Sequence, residues 1–246
     1  MSRKFSLITL TQGNAVALKR TIDSLVDIID DVVIGDLSVF KDDKESIKSM
    51  KVDCNVTIVD LPFDFLFKKG FSVGLNTLAT YTKNDLCCYL NVGEVLISDK
   101  NELKNRISPS YNCYYIDHPT ETHHWYRVFN KKEIQWGGLI HEEIYGNTKA
   151  CSVPLFRFDD TPKDSDDELK AWVYNEIKEM IYWSLLLKLI DQPHLIGNTN
   201  HGWIQFAQDS YHSFIERLHQ KGDMYEAMIR GDYELLMRAI EEKKNA

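Results

Sequence analysis

The stretch Asp85–Leu96 reads DLCCYLNVGEVL, and it decides the fold class of this chain. Its first half, Asp85–Leu90, is a short apolar run that a polar segment follows directly. A run of this kind is typical of a strand buried on both faces of a parallel sheet. The segment Asn91–Glu94 comes next, at the carboxyl end of that strand. The stretch therefore predicts a central strand of an α/β sheet with a polar cluster at its end.

Three more strands are predicted upstream, and helical segments separate them. The strands are Lys4–Leu10, Asp31–Gly35 and Cys54–Asp60. A helix is predicted by apolar residues at helical spacing, namely Leu18, Ile22, Leu25, Val26 and Ile29. A second helix is predicted over Gly70–Tyr81. This alternation predicts a mostly parallel sheet with helices on both faces.

Polar side chains lie at or just past the ends of these strands, where open α/β sheets bind their ligands. They are Thr9, Thr11, Asn14, Asp36, Asp60 and Asn91. The sequence has no G-x-G-x-x-G after the first strand and no P-loop, which disfavours a dinucleotide site and P-loop ATPase or GTPase chemistry. It also lacks the G-x-S-x-G elbow of α/β hydrolases.

The composition is that of an ordinary globular protein. The 246 residues are 43% hydrophobic and 27% charged, with a net charge of −8, which excludes disordered and collagen-like chains. No apolar run approaches the roughly 20 residues that span a bilayer. The first residues lack the features of a signal peptide, so we expect a cytoplasmic protein, in a bacterium or a virus-infected cell. Five cysteines without a C-x-x-C pair indicate reduced thiols rather than zinc ligands.

The character of the chain changes near residue 158. Before it, strands are predicted at Tyr111–Asp117, His123–Asn130 and Val153–Phe158, with a loop or edge segment at Trp136–Tyr145. The turn-prone acidic segment Asp159–Glu168 follows, and helical patterns occupy residues 168–191 and 203–244. We therefore predict a sheet domain over 1–158 and an acidic linker with an α-helical region over 159–246. Most of the excess negative charge falls in this second part, and no long basic run marks the chain as a nonspecific nucleic-acid binder.

Two histidine-containing segments could carry chemistry. Trp136–Glu143 reads WGGLIHEE, which places His141 beside Glu142 and Glu143. Glu142 could act as a general base and His141 could bind a phosphate or a metal, although a solvated charged loop would look the same. A second cluster contains His118, His123 and His124 near Asp117 and Glu121. Its spacing fits no standard zinc motif, so a polar or acceptor-binding loop is the simpler interpretation.

Several of these segments, in this order, resemble the family 2 glycosyltransferases of the GT-A fold. The resemblance covers about residues 4–145 and is strongest for the subgroup related to lipopolysaccharide core sugar transferases. The matching motifs are SLITLTQGN at Ser6–Asn14, VVIGD at Val32–Asp36, GFSVGLN at Gly70–Asn76, NVGE at Asn91–Glu94, RVF at Arg127–Phe129 and WGGLIHE at Trp136–Glu142. The last match is the most specific.

The resemblance implies a GT-A-like nucleotide-sugar-binding sheet that transfers a hexosyl or pentosyl group, with inversion, from a UDP-linked donor to an acceptor hydroxyl. The implied donor-binding residues are Thr9, Thr11, Asn14, Asp36, Asn76, Asn91 and Arg127. Glu142 is the implied general base, with Glu143 and Asp117 in reserve, and His141 assists it. Glu94 and His141 are the implied ligands of a divalent metal, Mg²⁺ or Mn²⁺.

The chain departs from the family where the metal binds. Both aspartates of the family's Asp-x-Asp motif are replaced, by Asn91 and Gly93, and Leu75 stands where a basic residue often precedes Asn76. Three accounts stay open: a metal held by Glu94 and His141, neutralisation of the diphosphate by cations, or lost activity. The cations would be Lys68, Lys69 or Arg127. Lost activity would make the chain a non-catalytic nucleotide-sugar-binding protein.

The sequence leaves the partner of the reaction open. The acceptor could be a glycan, a lipid-linked sugar, a protein side chain, or a hydroxymethylated base in the DNA of a virus. The C-terminal helices could dimerise the chain, cap the site or pack on the core. Two rival classes are a metal-dependent hydrolase and a purely structural protein. The hydrolase would use four histidines, namely His118, His123, His124 and His141.

Overall fold

The structure is a computed structural model, and it describes residues 5–62, 65–100, 105–116, 125–137, 143–151 and 158–159. The chain divides into two compact units. Unit 1 comprises residues 1–63, 72–137 and 143–164, and unit 2 comprises 64–71, 138–142 and 165–246. The predicted residues His141, Glu142, Asp117, His118, Glu121, His123 and His124 lie outside the described residues.

Unit 1 is built on a seven-stranded sheet. Its strands are β1 (Phe5–Thr11), β2 (Ile29–Asp36), β3 (Asn55–Asp60), β4 (Leu86–Tyr89), β6 (Cys113–Ile116), β7 (Trp125–Asn130) and β10 (Ala150–Cys151). Their order is β10-β6-β7-β4-β1-β2-β3. β7 runs antiparallel to both of its neighbours, and the other pairings are parallel. The predicted mostly parallel α/β sheet is therefore confirmed.

The remaining described elements are short pairs and helices. β5 (Val95–Leu96) pairs with β11 (Phe158–Asp159), and β8 (Ile134–Gly137) pairs with β9 (Glu143–Gly146), both antiparallel. The helices are α1 (Ala15–Leu25), α2 (Lys41–Ser49), α3 (Phe65–Lys69) and α4 (Phe71–Thr80). Within the described part, no helix has the length and apolar character needed to cross a membrane.

Helices pack on both faces of the sheet, as predicted. Leu18 and Ile22 of α1 and Ile47 of α2 are buried with strand residues of one face, such as Leu7. Leu75, Leu78 and Ala79 of α4 are buried with residues of the other face, including Ile8, Val33 and Cys87. The alternation of Leu7 and Ile8 between the two clusters is the two-residue period of a strand buried on both sides.

Three details of the sequence prediction need correction. Ile29 begins β2 instead of ending the first helix, because α1 stops at Leu25 and a turn follows in which the Ile28 amide donates to the Leu25 carbonyl. The helix α2 was not predicted, because Ile47 is its only buried apolar residue. Part of Trp136–Tyr145, which is predicted as a loop or an edge segment, forms the strand pair β8–β9, so the loop alternative is wrong there.

All five cysteines are free thiols, and three of them are deeply buried in the sheet: Cys87, Cys88 and Cys113. Burial disfavours the charged thiolate, and it raises the pKa of Cys87 and of Cys113 to about 11. Thiols with such pKa values are inert at neutral pH. Three of the five predicted reduced thiols are therefore core residues. The other two, Cys54 and Cys151, are partly exposed.

Buried Asp31 ties together the amino ends of three strands. It accepts hydrogen bonds from the Ser6 hydroxyl (2.5 Å), the Lys83 backbone amide (3.0 Å) and the Asn84 side-chain amide (3.4 Å). Ser6 opens the pairing of β1 with β4, and Lys83 and Asn84 lie just before β4. Hydrogen bonds between buried and half-buried polar groups thus hold this end of the sheet together.

We expect Asp31→Ala to lower the free energy of unfolding by about 2–3 kcal/mol, because it leaves buried donors without their charged acceptor. Urea unfolding followed by circular dichroism measures this change. Asp53→Ala is the matched control, because Asp53 is an exposed aspartate and its removal should change stability by less than about 0.5 kcal/mol. Equal unfolding midpoints for the two variants would contradict the assignment.

Candidate active site

The sheet reverses its strand order beside β1. β1 pairs with β2 on one side and with β4 on the other, so the chain first builds the sheet outward to β3 and then crosses back. Loops that leave the two strands at such a switch point diverge, and a crevice forms at their carboxyl ends. Here those loops are residues 12–14 after β1 and Asn91–Glu94 after β4. The predicted site residues on these strands therefore surround the switch point.

The carboxyl ends of the first three strands are in register. Thr11 pairs with Asp36, and Asp36 pairs with Asp60 on β3. Thr11 and Asp36 are buried, whereas the Asp60 side chain is 61% exposed and forms a 2.8 Å ion pair with Lys44. Because side chains alternate along a strand, Thr9, Thr11 and Asp36 share the sheet face on which α1 and α2 pack.

Three of the side chains here hold buried oxygens that have no hydrogen-bond partner within the described part of the chain. They are Thr9 Oγ1, Asp36 Oδ2 and Ser38 Oγ. The other carboxylate oxygen of Asp36 accepts a 2.9 Å hydrogen bond from the Ser38 backbone amide. An unsatisfied buried polar group costs about 1–3 kcal/mol, so three neighbouring ones need an explanation. A polar ligand at this strand end would satisfy them.

The loop after β1 uses its polar side chains locally. The Thr11 hydroxyl donates to the Gly13 carbonyl and accepts from the Gly13 amide at 3.2 Å. Asn14 is the N-cap of α1, because its Oδ1 accepts a 2.9 Å hydrogen bond from the Ala17 amide. Its φ of 52° is left-handed, a conformation that Asn tolerates better than most residues. Thr11 and Asn14 therefore shape the loop that follows β1.

The segment Asn91–Glu94 forms a tight turn anchored on α1. The Glu94 amide donates to the Asn91 carbonyl at 3.2 Å, and the Gly93 amide donates to the Thr21 hydroxyl at 2.9 Å. The φ of Gly93 is 100°, which side-chain-bearing residues rarely adopt, although in the described part of the chain no atom beyond its two chain neighbours lies within 4 Å of the place a Cβ would take. The turn thus needs glycine at the position of the second aspartate of the Asp-x-Asp motif.

Glu94 and Arg127 form a buried ion pair at this turn. Arg127 Nη1 lies 3.2 Å from Glu94 Oε2, and Nη2 lies 3.1 Å from Oε1, so the pair is bidentate. The side chains are only 11% and 8% exposed for Arg127 and Glu94. The guanidinium also lies over the ring of Tyr89, with its carbon 4.9 Å from the ring centroid.

A β-bulge directs Arg127 toward this turn. Tyr114 pairs with Val128 while the next residue, Tyr115, pairs with Tyr126, so Arg127 is the extra residue of β7 in this ladder. Bulges of this kind redirect a side chain and occur often beside active sites. The bulge therefore explains how a strand residue reaches a carboxylate that lies 33 positions away in the chain.

The residues of this turn do not fit the divalent metal that the family resemblance implies. Besides the two bonds from Arg127, Glu94 accepts from the Asn91 backbone amide (2.7 Å) and from Asn91 Nδ2 (2.9 Å). Both carboxylate oxygens are thus used by donors. Asn91 Oδ1 in turn accepts a 2.5 Å hydrogen bond from the Tyr89 hydroxyl. Among the described residues, no three His, Cys, Asp or Glu side chains are grouped to hold a metal.

Asn76, a predicted donor-binding residue, instead holds the segment that leads to the WGGLIHEE motif. Its Nδ2 donates to the Trp136 carbonyl at 2.7 Å, and its Oδ1 accepts from the Trp136 amide at 2.9 Å. Ser72 adds a 2.8 Å hydrogen bond to the Gly137 carbonyl. Both functions of the amide are used, so Asn76 fixes the position of β8 against α4.

Sequence reasoning missed several residues of this region. The position of Ser38, two residues after Asp36, could have indicated a binding residue. A serine after a strand is also common in turns, however. Nothing in the sequence near Tyr89 or Thr21 indicates their roles, because these roles depend on residues distant in the chain. Trp136 Nε1 is a further buried donor without a partner in the described residues. Its ring packs edge-on against Phe129 and Tyr89.

We expect the Glu94–Arg127 pair to show strong coupling in a double-mutant cycle of Glu94→Gln and Arg127→Met. Each single change leaves a buried charge or donor set uncompensated and should cost about 3–5 kcal/mol, whereas the double variant should lose much less than the sum. The exposed pair of Lys132 and Asp85, 2.8 Å apart, is the control and should couple by less than about 1 kcal/mol. Denaturant unfolding measures both cycles, and equal couplings would contradict the prediction.

No protein-family model matches this chain, and neither does any curated protein. Solved structures do show similarity. Glycosyltransferase GlyE of Streptococcus pneumoniae has 10% identity and a TM-score of 0.36, over 53% of this chain and 34% of that one. TarS of Staphylococcus aureus has 8% identity and a TM-score of 0.45, over 76% of this chain and 40% of that one.

A third similar structure is galactosyltransferase LgtC in complex with donor and acceptor sugar analogues. It has 12% identity and a TM-score of 0.38, over 52% of this chain and 58% of that one. This chain therefore spans about a third of GlyE and somewhat more than half of LgtC. The solved structures to which this chain is similar thus include glycosyltransferases, the class that its sequence motifs resemble.

Proposed function

We propose that this chain is a glycosyltransferase that moves a sugar from a nucleotide-sugar donor to an acceptor hydroxyl. The observation that carries the proposal is a set of three buried side-chain oxygens that lack a partner within the described part of the chain: one carboxylate oxygen of Asp36 on β2, the hydroxyl of Thr9 on the paired strand β1, and the hydroxyl of Ser38 just after β2. These groups lie at the carboxyl ends of adjacent parallel strands next to the switch point, where α/β sheets bind nucleotides.

The open oxygen of Asp36 favours a ligand that donates a hydrogen bond, and a uracil nucleotide is one such ligand. An ionised carboxylate only accepts hydrogen bonds, so the ligand must bring an N–H or O–H donor to Oδ2. Uracil presents its ring N–H on the edge that a base exposes, and ribose presents hydroxyls. The threonine and serine hydroxyls can both donate and accept, which suits the carbonyl oxygens of the same base. We therefore propose a UDP-linked sugar as the donor.

The proposed reaction is a single displacement with inversion. The acceptor oxygen forms a bond to the anomeric carbon while the bond from that carbon to the diphosphate oxygen breaks. The electron pair leaves with the nucleoside diphosphate, and the hydroxyl proton passes to a carboxylate base. From the WGGLIHEE motif we propose Glu142 as this base and His141 as the group that stabilises developing charge, with Glu143 and Asp117 in reserve.

The acceptor is proposed only as a hydroxyl compound. A glycan, a lipid-linked sugar, a protein side chain and a hydroxymethylated DNA base are the classes to test, by mass spectrometry of each after incubation with the donor. Transfer to DNA would fall steeply with salt concentration, because phosphate contacts release counterions. Dimerisation through residues 159–246 and a cytoplasmic location stay predictions of the sequence.

A second candidate is a nucleotide-sugar-binding protein without activity. Asn91 and Gly93 in the Asp-x-Asp positions favour it, since the aspartates there would hold the metal in the family. Release of nucleoside diphosphate in the presence of acceptor separates the two candidates. A protein that binds the donor without releasing diphosphate in any acceptor panel would be the binding protein.

We expect UDP and UDP-sugars to raise the unfolding temperature in a thermal-shift panel of nucleotides, and Asp36→Asn to weaken UDP binding by at least about tenfold. The substitution replaces a charged acceptor by a neutral amide, and a hydrogen bond to a charged group contributes roughly 1.5–3 kcal/mol. Asp60→Asn is the matched control, because Asp60 lies in the same register on β3 but is exposed. Equal UDP affinity of the two variants by calorimetry would refute the assignment of Asp36.

We expect Glu142→Gln to lower kcat by about 10²–10⁴-fold with little change in KM for the donor, because the amide cannot take the hydroxyl proton. The assay is release of nucleoside diphosphate from the UDP-sugar that the thermal-shift panel identifies. Glu143→Gln serves as the control at the neighbouring carboxylate. If Glu142→Gln keeps full turnover with unchanged donor binding, Glu142 is not the base.

A further inference from the structure

The buried ion pair of Glu94 and Arg127 stands where the family resemblance implies a divalent cation. The carboxylate of Glu94 receives four donors, two from Arg127 and two from Asn91. Mg²⁺ and Mn²⁺ bind through carboxylate and other oxygen lone pairs that face the ion. At Glu94 those lone pairs already face hydrogen atoms, so a cation could bind only after a donor leaves.

Asn91 and Gly93, the turn residues at the two Asp-x-Asp positions, offer no replacement carboxylate. Asn91 is neutral, and its amide is held between the Tyr89 hydroxyl and the Glu94 carboxylate. Gly93 has no side chain, and its φ of 100° disfavours any residue that would bring one. The turn is therefore built around a carboxylate that already has a cationic partner.

A divalent ion at this carboxylate would also meet the charge of Arg127. The guanidinium is fixed by its two bonds to Glu94 and by its position over the Tyr89 ring. Two cations at one buried carboxylate repel each other strongly where the effective dielectric constant is low. Displacement of Arg127 would break a buried bidentate ion pair, and separating the partners of such a pair is costly.

We infer that the guanidinium of Arg127 occupies the place of the divalent cation at the Asn91–Glu94 turn, so that nucleotide binding at this site needs no divalent metal. The nucleotide part of this inference rests on the proposed function. The cation part does not, because it concerns only whether Glu94 accepts an ion. The two parts are therefore tested separately, with the full chain in each case.

The first experiment uses Mn²⁺ alone, without nucleotide, and follows thermal unfolding and isothermal titration. The unfolding temperature of the wild-type chain should stay within about 1 °C at millimolar Mn²⁺, since only an ion bound to the folded state raises it. Arg127→Met should gain Mn²⁺ binding and a shift of several degrees, because it leaves the Glu94 carboxylate uncompensated. A shift in the wild-type chain that Glu94→Gln abolishes would overturn the inference.

Two further variants keep this experiment decisive if Arg127→Met alone lowers stability. Arg127→Lys keeps a cation beside Glu94 and should show no response to Mn²⁺. The double variant Glu94→Gln/Arg127→Met removes both charges and should also show none. If Arg127→Met is folded by circular dichroism and binds no Mn²⁺, the guanidinium is not what keeps the cation out, and the inference fails.

The second experiment measures UDP affinity with and without EDTA. We expect dissociation constants that agree within about twofold, and a tenfold weakening by EDTA that Mn²⁺ restores would overturn metal-independent binding. If UDP and every other nucleotide fail to bind under both conditions, the proposed function fails. The Mn²⁺ experiment then still decides whether Arg127 holds the place of the cation.

Discussion

The parallel pairing of β1 with β2 and with β4 is the constraint on which the rest of the described structure depends. It places the first strand in the middle of the sheet, buried by helices on both faces, and it makes the strand order reverse there. Since parallel strands end at the same edge, the same pairing brings Thr11 and Asp36 into register. The turn Asn91–Glu94 follows β4 at that edge. The core and the candidate site are thus two consequences of one pairing.

Hydrogen bonding divides the polar residues of this region into those with protein partners and those that keep a buried oxygen without a partner among the described residues. Asn76 forms hydrogen bonds through both its amide nitrogen and its amide oxygen, Glu94 forms them through both carboxylate oxygens, and each fixes one segment against another. Asp36, Thr9 and Ser38 keep buried oxygens without partners among the described residues. A buried oxygen without a hydrogen bond destabilises the fold. A ligand that donates a hydrogen bond to it would remove this cost. The donor site proposed here is therefore centred on Asp36.

The sequence predicted the strands better than the polar contacts. β1, β2, β3 and β4 were each found within one or two residues, because short segments rich in apolar and β-branched residues between polar ones indicate strands. The helix α2 was missed because packing of a single apolar residue, Ile47, is enough to hold it, and one residue makes no period. The strand pair β8–β9 was predicted only as a loop or edge segment, since its strands have four residues each and both end in glycine.

Glu94 and Arg127 illustrate most clearly why the sequence predicts strands better than polar contacts. The two residues were assigned separately, one to a metal and one to the donor, because nothing in their own neighbourhoods indicates a pair. They meet only through the pairing of β4 with β7 and the bulge at Arg127. A bulge shifts the side-chain direction by one residue, which no apolar pattern records.

By itself, the sequence determined the α/β class, the run of central strands, and the fact that Thr9, Thr11, Asp36 and Asn91 lie near strand ends. These properties depend on local periodicity and on chain order, which a sequence contains. Only the tertiary structure decided which of these side chains are already paired and which keep an open oxygen. Whether a side chain is paired depends on strand register, on one bulge and on the positive φ of Gly93. These features set the distances between residues far apart in the chain.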